Sequence, residues 1–249
     1  MKLYLNTRQY FDTNQPLDLS IGLRNDESNP RAWYVDAPRF EPVRTEHYTG
    51  SIAEGGSVNF RDIFFNPHGH GTHTECLGHI TETVYSINET LKEYFFQARL
   101  ITIEPKKIEN NGTEDSVITL NQIREIKNFS EALVIRTLPN GIHKKKKSYS
   151  ATNPTYLEVG IAAFLIEKGV KHLLLDLPSV DREEDEGELA FHHAFWEVPN
   201  NPNFERTITE LIYVDDSIAD GEYILNLHLA PFENDASPSR PVLYRIVEA

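Results

Sequence analysis

Cysteine and methionine occur once each, as Cys76 and Met1. A single thiol cannot close an intrachain disulfide, so the core must hold the fold, and a reducing cytoplasm is the expected setting. No apolar run approaches the ~20 residues of a membrane-spanning helix, and Met1–Arg8 lacks the apolar stretch of a signal peptide. Basic residues are few, with 24 Lys and Arg against 38 Asp and Glu, a formal net charge of −14. That balance argues against a nucleic-acid footprint and against attraction to anionic membranes. The expected partner is a small-molecule substrate. Internal repeats, low-complexity tracts and linkers are also missing, so one domain over residues 1–249 is the economical reading.

What the chain does have is histidine in one place. Four of its ten histidines fall between Asn66 and His79, as Asn-Pro-His68-Gly-His70-Gly-Thr-His73-Thr-Glu75-Cys-Leu-Gly-His79. Even scattering would put roughly half a histidine in such a window, and short His-rich tracts are a metal-binding signature. Neutral imidazole suits Zn, Mn or Fe, and a carboxylate balances a divalent cation. His73 and Glu75, two apart, share a side only on extended backbone. Glycines at 69, 71 and 78 argue against a helix here. The segment reads as a Gly-rich loop entering a short strand, its side chains converging on a metal. Cys76 stands among these histidines but in no cysteine-hydrolase motif, and reads as a small buried residue.

Along the chain, Leu17–Leu23 alternates as a strand, and the following twenty residues, with Trp33, Tyr34 and three prolines, read as an ordered irregular loop. Ser57–Phe65 is expected to be a strand, Asn88–Phe96 a short helix and Ala98–Glu104 a strand. Thr119 caps a helix through Lys127. Ala132–Leu138 and Lys171–Leu177 read as buried strands. The helix between them is capped by Asn153, has Pro154 in its first turn and stops at Gly169. Strand–helix–strand implies a parallel crossover. Gly141–Ser150, with lysines at 144 to 147, reads as a solvated loop, and the acidic run Asp181–Glu188 as a solvated surface. Three strands, near 207–214, 223–230 and 242–247, end an α/β chain.

Three later features offer further ligands. Asp176-Leu-Pro-Ser-Val-Asp181 leaves a strand at its carboxyl end, where α/β folds place sites. His192 and His193 are adjacent, so at most one faces a common centre. Glu210 lies in a predicted strand. His47, His143, His172 and His228 are isolated and unassigned.

These residues resemble the cyclase-like metal-dependent hydrolases, a family that includes arylformamidases and isatin hydrolases and carries H-x-G-T-H-x-D-x-P-x-H. Gly71-Thr72-His73-Thr74-Glu75-Cys76-Leu77-Gly78-His79 matches the latter part of that motif, and Leu174–Asp181 resembles the family's D-x-x-S-x-D stretch. The resemblance implies a swivelling β/β/α domain with a mixed sheet, assembled as a homodimer or larger oligomer. It also implies a divalent metal, Zn or Mn, and hydrolysis of an amide, formamide or cyclic amide. The implied ligands are His73, Glu75, His192 (with His193 as the fallback) and Glu210, and His79 is the implied catalytic acid/base. The family's first histidine falls on Gly69; His68 and His70 flank it, and His68 is preferred. Glu75 replaces an aspartate, Leu77 stands at the motif's proline, and Gly78 beside it is expected to relax the loop. The alternative is a non-catalytic metal- or small-ligand-binding relative of the same fold.

Overall fold

Ala132–Thr137 and His172–Leu175 are buried along their whole length, as strands covered on both faces must be. In the computed structural model, which describes residues 1–110 and 112–248, they sit in the wall of a barrel. Its strands are β1 (Leu17–Asp18), β2 (His73–Glu75), β3 (Phe95–Ile103), β4 (Ala132–Thr137), β5 (His172–Leu175), β6 (Thr207–Glu210), β7 (Gly221–Leu229) and β8 (Ala236–Arg245). The ring runs β7-β3-β4-β5-β6-β2-β8, β8 pairs back onto β7, and β1 adds to β8. β3, β4, β5 and β6 are mutually parallel and the other pairings antiparallel, giving the mixed sheet of an α/β fold.

Helices α1 (Ile87–Thr90), α2 (Leu120–Arg124), α3 (Gly160–Glu167) and α4 (Ala190–Trp196) cover this sheet. At the start of α2 the Gln122 side chain accepts the Thr119 backbone N–H at 3.0 Å. α3 ends in paired turns in which Gly169, at φ +79°, donates to Ile166 and Val170 donates to Leu165. Phe191, Phe195 and Trp196 of α4 are fully buried and join the main core.

Several expectations are corrected. The strand at Leu17 ends at Asp18; beyond it the backbone is anchored singly, with Tyr213 N–H donating to Leu19 and Ile21 N–H to the Thr72 hydroxyl. The supposed loop contains a strand, Arg39–Pro42, which pairs with Arg61–Phe64. Its partner, within the expected strand Ser57–Phe65, is entirely exposed, so an arm leaves the barrel. Asn88–Phe96 is mostly not helical: α1 spans four residues, and Phe95 already belongs to β3, where cross-strand pairing overrides local propensity. The helix before β5 begins at Gly160, because Tyr156–Leu157 pairs with Val117–Ile118 and Asn153 spends its amide on Asp115. The lysine-rich loop is a 3-10 turn, Ile142–Lys146, in which Lys144 is buried.

Gly78 is not slack. A Cβ there would lie 2.2 Å from the Tyr85 carbonyl oxygen and 2.7 Å from the Tyr85 nitrogen, both backbone atoms. Gly78→Ala is therefore expected to cost about 1–3 kcal/mol in urea unfolding. Gly22→Ala, with nothing within 4 Å of its Cβ, serves as the neutral control.

His172 opens β5 at 3% exposure, its ring against Phe96 and its Nδ1 bonded to the Thr207 hydroxyl at 2.9 Å. Burial, helped by the Lys171 charge, pushes its pKa down to about 4. A depressed folded-state value means that this stabilisation is complete above about pH 6.5 and is lost as pH falls toward 4. Replacing His172 by Gln should remove on the order of 1–2 kcal/mol from the stability lost between pH 7 and 5. Parallel stability–pH curves for the two proteins would contradict this.

Candidate metal centre

β2 turns sequence spacing into geometry. His73 and Glu75 project from one face, and Thr74 projects from the other, where its hydroxyl meets that of Thr209 at 2.8 Å. In the antiparallel pairing Glu210 stands opposite His73, so the two side chains share a face. Leu211, at φ +52°, turns the chain at once: its N–H donates to Leu177, and its carbonyl accepts the Thr72 hydroxyl at 2.6 Å. The threonine of the Gly-Thr-His run thereby ties β2 to the end of β6.

The 3-10 turn Leu77–Ile80 folds His79 back over Glu75, leaving its Nε2 4.0 Å from Oε2. His68 enters from the loop, with Nδ1 3.0 Å from Glu75 Oε2 and its ring stacked on His79 at 4.2 Å. His192 enters from α4, donating from Nε2 to Glu75 Oε1 at 3.0 Å and from Nδ1 to Asp181 Oδ2 at 2.6 Å. His73 donates from Nδ1 to the Gly71 carbonyl at 3.0 Å. Its Nε2 lies 3.5 Å from Glu210 Oε2 and is a buried nitrogen with no hydrogen-bond partner among the described residues. Val180 N–H donates to Glu210 Oε1 at 3.1 Å.

Two donor groups result, His68–Glu75–His79 and His73–Glu75–Glu210, each with ligand atoms within 4.8 Å of one another. Glu75 belongs to both. These groups bring together five of the six expected residues (His68, His73, Glu75, His79, Glu210), and the sixth, His192, joins them through Glu75 Oε1. His70 does not: its Nε2 donates to the Asp36 carbonyl at 2.6 Å and its Nδ1 accepts the Asn66 N–H. His193 also turns away, to the Val198 carbonyl.

Electrostatics follow from packing charge into a dry place. Burial works against the charge of His68 and His192, yet hydrogen bonds to Asp235 and Glu75, and to Asp181 and Glu75, outweigh it and hold both pKa values at about 10. Burial would raise Glu75, but the charge of His79 and hydrogen bonds from His192 and His68 hold it well below the carboxylate range. Glu210 is raised by burial and then by the charge of Glu75. Cys76 is fully buried, burial raises its thiol, and Sγ donates to the Tyr85 carbonyl, which fits the structural reading.

Of the two carboxylates that hold the outer nitrogens of these imidazoles, Asp235 has no signal in the sequence, and Asp181 ends the Asp176–Asp181 stretch that offers ligands. Asp235 accepts from His68 Nε2 at 2.8 Å and from His79 Nδ1 at 3.2 Å. It sits in the polar run Glu233-Asn234-Asp235, which looks like an ordinary turn. Asp181 also opens the acidic run, through Glu188, that reads as a solvated surface. It is buried instead, accepting the Phe191 and His192 backbone N–H groups and the His192 ring. It caps α4 and orients a histidine at once.

A family model described as a putative cyclase matches residues 17–182. A kynurenine formamidase of Bacillus cereus is 30% identical over 245 residues, covering 96% of this chain and 99% of that protein. The Bacillus anthracis protein of the same name is 29% identical over 246 residues, with the same coverage. Among solved structures, isatin hydrolase A from Labrenzia aggregata superposes with a TM-score of 0.65 at 14% identity, over 92% of this chain and 93% of that one. A potential metal-dependent hydrolase with cyclase activity gives 0.65 at 15%, over 92% and 97%. With that family match running from β1 through the histidine segment to Asp181, the chain belongs to the putative cyclase family.

Proposed function

We propose that this protein is a divalent-metal-dependent hydrolase that opens a non-peptide C–N bond in an amide, formamide or cyclic amide. The observation that carries this is the pair of donor groups sharing Glu75, with the unpartnered His73 Nε2 aimed between Glu75 and Glu210. The kynurenine formamidase relatives, at about 30% identity over nearly the whole chain, support the reaction class. His73 fits a ligand role because its Nδ1 proton is committed to Gly71, leaving a lone pair on Nε2. His68, His73, Glu75, His192 and Glu210 would hold the cation, and mixed imidazole and carboxylate donors suit zinc or manganese. When bound, such a cation polarises a carbonyl and lowers the pKa of water toward ~7.

The chain's own groups do the rest. His79 stands at the open side of the cluster at 30% side-chain exposure, where its Nε2 can pass a proton to a leaving nitrogen. Asp235 fixes its Nδ1 and, through the same oxygen, the outer nitrogen of His68. Asp181 orients His192 in the same way. A cavity of about 440 Å³ between Ile21, Leu23, Phe65, Pro67, Pro238 and Arg240 suits the substrate body. Pro238 pairs with His73, which puts this wall beside the centre. The accessible position of His79 favours turnover over a closed structural site. The lone, buried cysteine accords with the cytoplasm. Among the described residues no helix is long and apolar enough to cross a membrane.

The exposed arm carries Ile52, Phe60, Ile63 and Phe64, each 46–58% exposed, and supports assembly as a homodimer. Light scattering should then give at least twice the 28.5 kDa chain mass.

Three outcomes test the reading. Purified protein should carry a stoichiometric divalent metal by elemental analysis and turn over members of a panel of formyl-amides, cyclic amides and lactones. His73→Ala should lose metal, whereas His79→Ala should keep it and lose ~10²-fold or more in turnover. Because the raised His68 and His192 hold protons through neutral pH, metal uptake must expel them, so affinity should rise with pH. Calorimetric heats of Zn²⁺ binding at pH 7.5 should accordingly scale with buffer ionisation enthalpy. Heats independent of buffer would count against this donor set.

A further inference from the structure

Lys144 belongs to a lysine run that reads as a solvated loop, yet it is 9% exposed. Its Nζ donates to Asp176 Oδ2 at 2.8 Å, to the Thr137 carbonyl at 2.7 Å and to the Thr137 hydroxyl at 2.9 Å. Asp176, 1% exposed, also accepts the Thr137 N–H and hydroxyl. Two parallel strands, β4 and β5, thus end in one knot of buried hydrogen bonds with the ammonium at its centre. A buried ammonium is costly unless every proton finds an acceptor, and this one has them.

The knot lies where the chain enters the segment that supports two of the five proposed ligands, Glu210 and His192. Asp176 is followed by Leu177, whose carbonyl holds Leu211 N–H just after Glu210. Three residues on, Val180 N–H reaches Glu210 itself, and Asp181 holds the ring of His192. On its other side the lysine-bearing segment bonds through Lys147 O to Arg31 N–H, and Ala32 N–H bonds to Gly69 O, beside His68. Neither Lys144 nor Asp176 belongs to either donor group.

We infer that Lys144 is a positioning residue, whose pairing with Asp176 sets the register of the 177–181 turn and thereby the placement of His192 and Glu210. A mere packing role would make the pair exchangeable for apolar side chains of similar volume. A positioning role would not, because an apolar pair offers nothing to the Thr137 hydroxyl and N–H that fix the turn. The inference rests on the reading of Glu210 and His192 as ligands only for its consequence in metal affinity; the geometric consequence stands without it.

The experiment therefore has two readouts. The first is taken on metal-free protein: the downfield imidazole N–H resonance of His192, whose Nδ1 lies 2.6 Å from Asp181. The second is Zn²⁺ affinity by competition with a chromophoric chelator. Lys144→Met, and the double variant Lys144→Met/Asp176→Leu, are compared with the parent at matched thermal stability. In the double variant, folding should recover while the resonance remains shifted or broadened and Zn²⁺ affinity stays at least 10-fold weaker. A double variant with the parental His192 resonance overturns the inference. If the parent itself takes up no Zn²⁺, the metal reading fails alone, and the resonance still decides the role of Lys144. Should Lys144→Met not fold, the double variant and Lys144→Arg, which keeps a cation, provide the comparison.

Discussion

A carboxylate with 1% exposure, Glu75, is the constraint that the rest of the structure answers. An isolated anion in so dry a place would cost many kcal/mol, so it must be met by cations and donors on every lone pair. His68 and His192 arrive from opposite sides, one on each oxygen, and His79 stands within 4.0 Å. Each of those imidazoles then needs an outer partner: Asp235 serves both His68 and His79, and Asp181 serves His192. The alternation of carboxylate, imidazole and carboxylate accounts for the long reach of the site. It draws on β2, the turn after it, α4, the turn before α4 and the loop before β8.

Closure of the barrel makes that reach possible. β2 is only three residues long, but it is paired on both sides, to β6 and to β8. Those neighbours come from the last fifth of the chain, whereas β2 comes from the first third. The bend at Leu211 is the sharpest expression of this. A β-branch-free but bulky residue is held at positive φ, a conformation that costs of order 1–3 kcal/mol and persists only where surroundings over-determine it. Here both backbone groups of Leu211 are bonded, one to the Leu177 turn and one to Thr72, so strain next to Glu210 is locked in by the strands it joins.

Those same facts explain what could be read from the sequence. His73 and Glu75 were legible because their two-residue spacing has meaning on any strand, and His192 and Glu210 because the family pattern places them. The buried strands β4 and β5 were legible as continuous apolar runs. Asp235 and Lys144 were not, since each sits among polar or charged neighbours that resemble solvent-facing sequence, and Asp181 was legible only in part, as the end of the Asp176–Asp181 stretch and the start of an acidic run. Their burial is set by partners 156, 32 and 11 positions away, and no local pattern carries that. The β3 start was misread for a related reason: its edge to β7 is formed with residues more than a hundred positions later.

The departures from the family pattern belong together sterically. At Gly69, where the family has its first histidine, a Cβ would lie 2.8 Å from Val35 Cγ2 and 3.2 Å from the Ala32 carbonyl. No imidazole fits there, because Ala32 N–H bonds to the Gly69 carbonyl and draws the two segments together. The nearest side chain that can face β2 is that of His68, one residue earlier. From there its ring meets the carboxylate at position 75, where glutamate reaches one methylene further than aspartate and touches His68 and His192 with separate oxygens. The displaced histidine and the lengthened acid are thus two sides of one accommodation to the close pass of the 32–35 segment.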